Sequence, residues 1–236
     1  MRGEFVTGTG TEVGKSVVAA VLARTALAAG SRVAVFKPAV SGLDDYPARP
    51  EVWECAAELP DHALLRLAAG STQDDDEVAP YRYGPPVSPH LAAELAGEPI
   101  DPDLLRSAAL AAGEGSDVLV CEGVGGFLVP LTADYLIRDL ARDLGMPVTI
   151  VASAGLGTIN HTLLTVEAVR NAGLEVGRVV LNLWPEAPSL LEVSNRETIA
   201  KLGSVPVEML HHFDLTSPQR WPKLTLSEPE RRLRAA

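Results

Sequence analysis

Nine consecutive residues near the amino terminus, Gly8-Thr9-Gly10-Thr11-Glu12-Val13-Gly14-Lys15-Ser16, have the types and spacing to hold a polyphosphate. Glycines let successive backbone N–H groups turn toward one anion, a lysine after the last glycine can neutralise β- and γ-phosphates, and the adjacent hydroxyl can ligate Mg²⁺. The common phosphate loop has four residues between its glycines, whereas five separate Gly8 from Gly14 and Thr9 holds the usual glycine position. Two more charged residues, Lys37 and Glu122, each follow an apolar run. A lysine at such a strand end can reach the same phosphates, and an acid there holds Mg²⁺, directly or through water, in phosphate-loop enzymes.

The surrounding sequence supplies elements that would bring these residues together. Phe5-Val6 reads as a strand, and Val17 to Ala23 as a buried helix entered directly from the loop. Gly30 can close that helix, and Arg32 to Phe36 reads as a second strand that ends at Lys37-Pro38. A strand, helix and strand in this order predict a right-handed parallel unit, with both lysines at the carboxyl rim of the sheet. The run Asp117 to Cys121 predicts a central strand that delivers Glu122 into the turn Gly123-Val124-Gly125-Gly126.

Further strands are expected at 147–152 and 177–182, with a short last one at Val205-Pro206-Val207. Helices are expected over 61–69 with Asp61 as N-cap, over 91–95 after Ser88-Pro89, and over 101–112, 136–144, 161–171 and 189–202. The acidic run Asp74-Asp75-Asp76-Glu77 lacks the spacing of a calcium loop and reads as a solvated loop. The glycines of Gly155-Leu156-Gly157, ahead of Thr158-Ile159-Asn160 and the helix at His161, offer a second anion site or a plain strand–helix connection, and Asn182 can meet the edge of a base or simply end its strand. The fold class is therefore α/β: a single-domain, phosphate-loop NTPase-like fold with a mostly parallel sheet flanked by helices. It is expected over residues 1–216, with 217–236 a polar, partly disordered tail.

The net charge of −11 argues against nucleic acid or an anionic membrane as main partner and favours a small-molecule substrate. Two cysteines, Cys55 and Cys121, give no disulfide framework, and no run of apolar residues is long enough to span a bilayer; a soluble protein in the reducing cytoplasm is expected.

Five stretches in this order, Gly8 to Ser16, Lys37-Pro38-Ala39-Val40-Ser41-Gly42, Pro86-Val87-Ser88-Pro89-His90, Glu122 to Gly126 and Gly157 to His161, resemble the dethiobiotin synthetase family, whose phosphate loop is enlarged in the same way. The resemblance spans about residues 4 to 210. It implies ATP-dependent carboxylation and ring closure of 7,8-diaminononanoate with CO₂ or bicarbonate, through a carbamate and a carbamic–phosphoric anhydride. It implies Lys15 and Lys37 as catalytic cations, Thr11 and Ser41 beside the substrate amines or carbamate, and Ser16, Asp61 and Glu122 around Mg²⁺. Asp44 and Asp45 compete with Asp61 for the second acidic role.

Nucleotide contacts are implied at Glu12, Val13, Gly14, Lys15, Ser16, Asp61, Glu122, Gly123, Val124 and Gly125, with Asn182 and Val205-Pro206-Val207 at the base. A homodimer is implied, in which Gly157 to Asn160 receive the substrate carboxylate from the partner's site. The chain departs from the family at Ser16, where threonine is usual, and at Val124, where a small residue is usual. A phosphate-loop amidoligase of the cobyrinate type would be expected to carry a glutaminase nucleophile, and a partition-type ATPase an early lysine in the loop; neither is present in this sequence.

Overall fold

A computed structural model of the protein describes residues 2–45 and 59–227. Cys55, Pro47 and Pro50 lie outside the described residues. The strands are β1 (Arg2–Gly8), β2 (Val33–Phe36), β3 (Ala39–Val40), β4 (Tyr81–Arg82), β5 (Val118–Gly126), β6 (Val148–Ser153), β7 (Val176–Trp184) and β8 (Val207–His211). Six of them form a parallel sheet in the order β2-β5-β1-β6-β7-β8, and β3 pairs with β4 apart from it. Strands buried on both faces need apolar side chains at every position, and β2, with the sequence VAVF, is buried throughout.

The helices are α1 (Lys15–Ala28), α2 (Asp61–Ala69), α3 (Asp75–Val78), α4 (Pro89–Ala96), α5 (Pro102–Gly113), α6 (Ile137–Leu144), α7 (Thr158–Asn171) and α8 (Leu190–Gly203). They sandwich the sheet. Val6, Val33, Val35, Val118 and Val120 face α1 and α2, while Phe5, Ala34, Phe36, Leu119 and Cys121 face the layer built by α4 to α8. At the open edge of β2, the side-chain amide of Gln73 accepts from the Val35 N–H at 3.0 Å and donates to its carbonyl at 3.1 Å, standing in for a neighbouring strand. No helix among the described residues is long and apolar enough to cross a membrane.

Several local expectations change. The acidic run is not a loop but the start of α3, because Asp74 and Glu77 satisfy each other's backbone N–H in a reciprocal cap. Asp61 is the first residue of α2 and Pro60 is its cap, which releases the Asp61 carboxylate for another partner. α7 begins at Thr158 rather than His161 because Gly157, at φ +91°, makes the turn directly before it. Ser88 precedes α4 without a capping side-chain bond. The last strand is Val207–His211, later than expected, and Pro206 lies before it. The first part of the polar tail, to Ser227, packs on the protein, with Trp221 and Leu224 buried in the same cluster as α1.

Candidate active site

Strand register assembles the centre of the site. Val33 pairs with Val118 and Phe36 with Cys121, so Lys37 and Glu122 follow on adjacent strands. Alternation along each strand then aims both side chains to the side of Val35 and Val120, toward α1 and α2. The Lys37 ammonium donates to Glu122 Oε1 at 2.6 Å, and Lys37 Nζ lies 2.9 Å from Asp61 Oδ2. From the first turn of α1, the Ser16 hydroxyl donates to the same Glu122 Oε1 at 2.8 Å. Thus β2, β5, α1 and α2 each contribute one polar group to one point.

Electrostatics there are governed by burial and by an excess of carboxylate. The Lys37 side chain is 3% exposed, Glu122 0% and Asp61 37%. Burial works against the charge on Lys37, but Asp61 and Glu122 outweigh it and hold its pKa above the ordinary lysine value. Burial also raises the Glu122 pKa, since Lys37 is shared between two acids and neutralises neither fully. Burial acts the same way on Asp61, yet Lys37 and Ser16 together bring its pKa below normal. Burial lowers the pKa of Lys15.

The phosphate loop is held open by its own packing. Gly14 adopts φ +88°, and a Cβ there would overlap the amide nitrogen of Asn182. That Asn182 amide donates to the Val13 carbonyl at 3.1 Å, bracing the loop from β7. A Cβ on Gly8 would meet Val13 Cγ2 at 2.8 Å and the Gly10 carbonyl at 3.0 Å, so the entry to the loop also requires glycine. The Lys15 ammonium donates to the Gly10 carbonyl at 2.8 Å.

A cavity of about 370 Å³ opens at this point. Its lining includes Thr11, Glu12, Gly14, Lys15, Ser16, Lys37, Ser41, Asp61, Glu122, Val124 and Gly125, all residues singled out from sequence. Val13 and Gly123 do not line it: Val13 takes the bond from Asn182, and Gly123 lies against Phe5 and Ile137. Asp44 does not line it either, its carboxylate lying instead over Gly84. Gly157 to Asn160 follow the carboxyl end of β6 but stand outside the cavity. Val205, Pro206 and Val207 require correction as base contacts. They enter β8 at its amino end, where the Pro206 carbonyl accepts from the Val179 N–H and Pro206 lines a hollow with Arg2 and Ser227. In a parallel sheet that end is opposite the phosphate loop. The residue that does reach the cavity from this region is Leu215, beyond β8, which no sequence signal marked.

The donor set suits a hard divalent cation. Glu122 Oε2 is buried with no hydrogen-bond partner among the described residues, beside a second carboxylate and the Ser16 hydroxyl. Oxygen ligands of this kind, completed by phosphate oxygens and water, are what Mg²⁺ selects.

Sheet order, enlarged loop and strand-end acid together define an α/β phosphate-loop, NTPase-like protein, and residues 2–210 match the family described as an AAA domain. Among its relatives, the ATP-dependent dethiobiotin synthetase of Anaeromyxobacter dehalogenans strain 2CP-1 is 45% identical over 215 residues, covering 87% of this chain and 92% of its own. The enzyme of the same name from Rhodococcus erythropolis is 40% identical over 206 residues (86% and 85% covered), and that from Bacillus subtilis strain 168 is 34% identical over 207 (88% and 85%). The chain belongs to the dethiobiotin synthetase family of ATP-dependent ligases.

Proposed function

We propose that the protein joins CO₂ to 7,8-diaminononanoate and closes the ureido ring of dethiobiotin, converting ATP to ADP and phosphate. The observation that carries this reading is Lys37: a buried ammonium at the rim shared with the phosphate loop, where negative charge develops when an oxygen acid is phosphorylated. The relatives' shared name supports the product.

In the sequence of bonds, one amine of the substrate forms an N–C bond to CO₂ and loses a proton, giving a carbamate. A carbamate oxygen then bonds to the γ-phosphorus as the bond to the ADP oxygen breaks. The second amine attacks the carbonyl carbon of that anhydride, loses its proton, and expels inorganic phosphate as the ring closes. Lys15 and the loop N–H groups hold the triphosphate, and Lys37 neutralises the carbamate and the migrating phosphoryl group. Thr11 and Ser41, both on the cavity wall, orient the amines and carbamate. Ser16, Asp61 and Glu122 would hold Mg²⁺, which supplies charge neutralisation on the phosphate oxygens. Asn182, which braces the loop through Val13, is assigned to the base through its remaining acceptor.

The substrate carboxylate is assigned to the N-terminus of α7 in a partner subunit, through Gly157 to Asn160. Their position outside the chain's own cavity supports this, as do the exposed apolar side chains of Leu156 and Leu164 nearby. The deciding experiment is ATP turnover with diaminononanoate and bicarbonate supplied together and separately, with dethiobiotin read by mass. Hydrolysis that needs both supports the proposal; equal hydrolysis with neither marks a switch ATPase instead. Mixing inactive Lys37→Met and Asn160→Asp chains should restore activity if sites are shared across a dimer.

A further inference from the structure

The chain beyond β8 ties the two ends of the sheet together. Leu215 lines the phosphate-loop cavity, and its carbonyl accepts from the Trp221 indole N–H at 3.3 Å. Phe213 meets Trp221 edge-on, with ring centroids 6.0 Å apart. Trp221 and Leu224 are buried in the cluster built around α1, and the Leu224 N–H donates to Thr25 Oγ1 at 3.1 Å. Together with α2 they belong to the cluster in which Val18 to Ala23 are fully buried.

The strap ends on a buried ion pair at the opposite, amino end of the strands. Glu4 is 0% exposed and Arg178 3%, with the Arg178 guanidinium 3.3 Å from Glu4 Oε1. The Ser227 N–H donates to Glu4 Oε2 at 2.8 Å and its hydroxyl to Glu4 Oε1 at 3.1 Å. Arg178 donates to the Ser227 oxygen from Nη2 at 2.8 Å and Nε at 3.2 Å, and from Nη1 to Glu208 at 2.9 Å. Thr149 donates to the same Glu4 carboxylate. Gly177 makes room for this arrangement, since a Cβ there would overlap the Ser227 side chain. A buried ion pair is weak support for stability by itself, and its best-attested use is to fix one geometry. Here the geometry it fixes is where the strap ends.

We propose that residues 213–227 are a positioning strap: Ser227, bound to Glu4 and Arg178, and Trp221, seated on α1, hold Leu215 at the wall of the nucleotide cavity and so set ATP affinity from the far end of the sheet. The inference rests on the reading of that cavity as the nucleotide site. Leu215 is the contact; Trp221 and Ser227 act through it.

The test compares ATP KM, kcat and equilibrium binding of a fluorescent ATP analogue in the full chain, a chain ending at Ser227, a chain ending at Thr216, and the point variants Trp221→Phe and Gly177→Ala. The chain ending at Ser227 should match the full chain. Loss of the strap should raise ATP KM and analogue Kd roughly tenfold, and Trp221→Phe, which keeps an aromatic ring but removes the indole N–H that bonds Leu215, about threefold, as loss of one hydrogen bond allows. In each case kcat should hold within about twofold and the KM for diaminononanoate should not move. Truncation can also unfold a chain, so Trp221→Phe and Gly177→Ala decide the matter alone: unchanged ATP affinity in both overturns the strap, as does a parallel fall in kcat. A full chain that binds no ATP analogue would overturn the reading of the site itself.

Discussion

Replacing Lys37 with methionine removes the ammonium while keeping most of the side-chain volume. At 2.6 Å from Glu122 Oε1, its Coulomb attraction is about 6 kcal/mol at an effective dielectric of ~20. Desolvation of the two ions cancels much of that in the wild type, but deleting one member leaves the other buried and uncompensated, at a cost of about 3–5 kcal/mol. The lower end applies, because Asp61 can turn to water with its side chain 37% exposed and Glu122 can take up a proton. A loss of about 3 kcal/mol lowers Tm by roughly 6–12 °C in a chain of this size. Turnover should fall about 10²- to 10³-fold, the usual consequence of deleting one charge-stabilising donor, with a much smaller change in ATP KM.

The same variant carries a pH signature. Burial already raises the Glu122 pKa, and Lys37 is what opposes the rise. Without it the folded-state pKa climbs further above the unfolded value. A group with a raised folded pKa contributes stability at low pH and loses it as pH rises through that pKa. The Tm gap between variant and wild type should therefore narrow as pH falls and widen as it rises. The assays are steady-state kinetics and thermal unfolding across pH. A kcat within about threefold of wild type would refute the assigned role, and a gap independent of pH would refute the electrostatic account of Glu122.

Three shorter predictions follow from the same geometry. Asn182→Ala removes the donor to the Val13 carbonyl and should raise ATP KM about five- to tenfold, measured with saturating diaminononanoate. Gly14→Ala forces a side chain onto φ +88° and into the Asn182 amide, and should abolish binding of an ATP analogue in a chain whose circular dichroism is unchanged. Ser16→Ala and Glu122→Gln each remove a candidate metal oxygen, and the Mg²⁺ concentration for half-maximal activity should rise at least tenfold in both, with chelation silencing the wild type.

The sequence exposed most of the phosphate-loop rim because its chemistry is local. Gly8 to Ser16 are contiguous in the chain, and Lys37 and Glu122 each follow an unmistakable apolar run. Short-range ambiguity accounts for the smaller misses: Asp61 and Asp74 are both plausible caps by type, yet only Asp74 caps, because Lys37 claims Asp61. The misplacement of Val205 to Val207 has a different origin. A short apolar triplet around a proline does not show which end of a strand it occupies, and that end decides which rim it serves. Leu215 and Ser227 were invisible for a further reason: their partners, near Gly14 and at Glu4, are about two hundred residues away in the chain, and nothing in a polar tail encodes such contacts.

Lys37 and Glu122 also guard the pairing of β2 with β5. A slip by one residue would turn the ammonium toward the layer of Phe5, Phe36 and Leu140, away from Glu122 and Asp61. Stranding a cation among aromatic and aliphatic side chains is costly enough to make that misaligned sheet a poor competitor. The groups proposed to handle phosphate would thus also discriminate against a wrong fold, and a variant with both made apolar should be more prone to misregistered pairing as well as inactive.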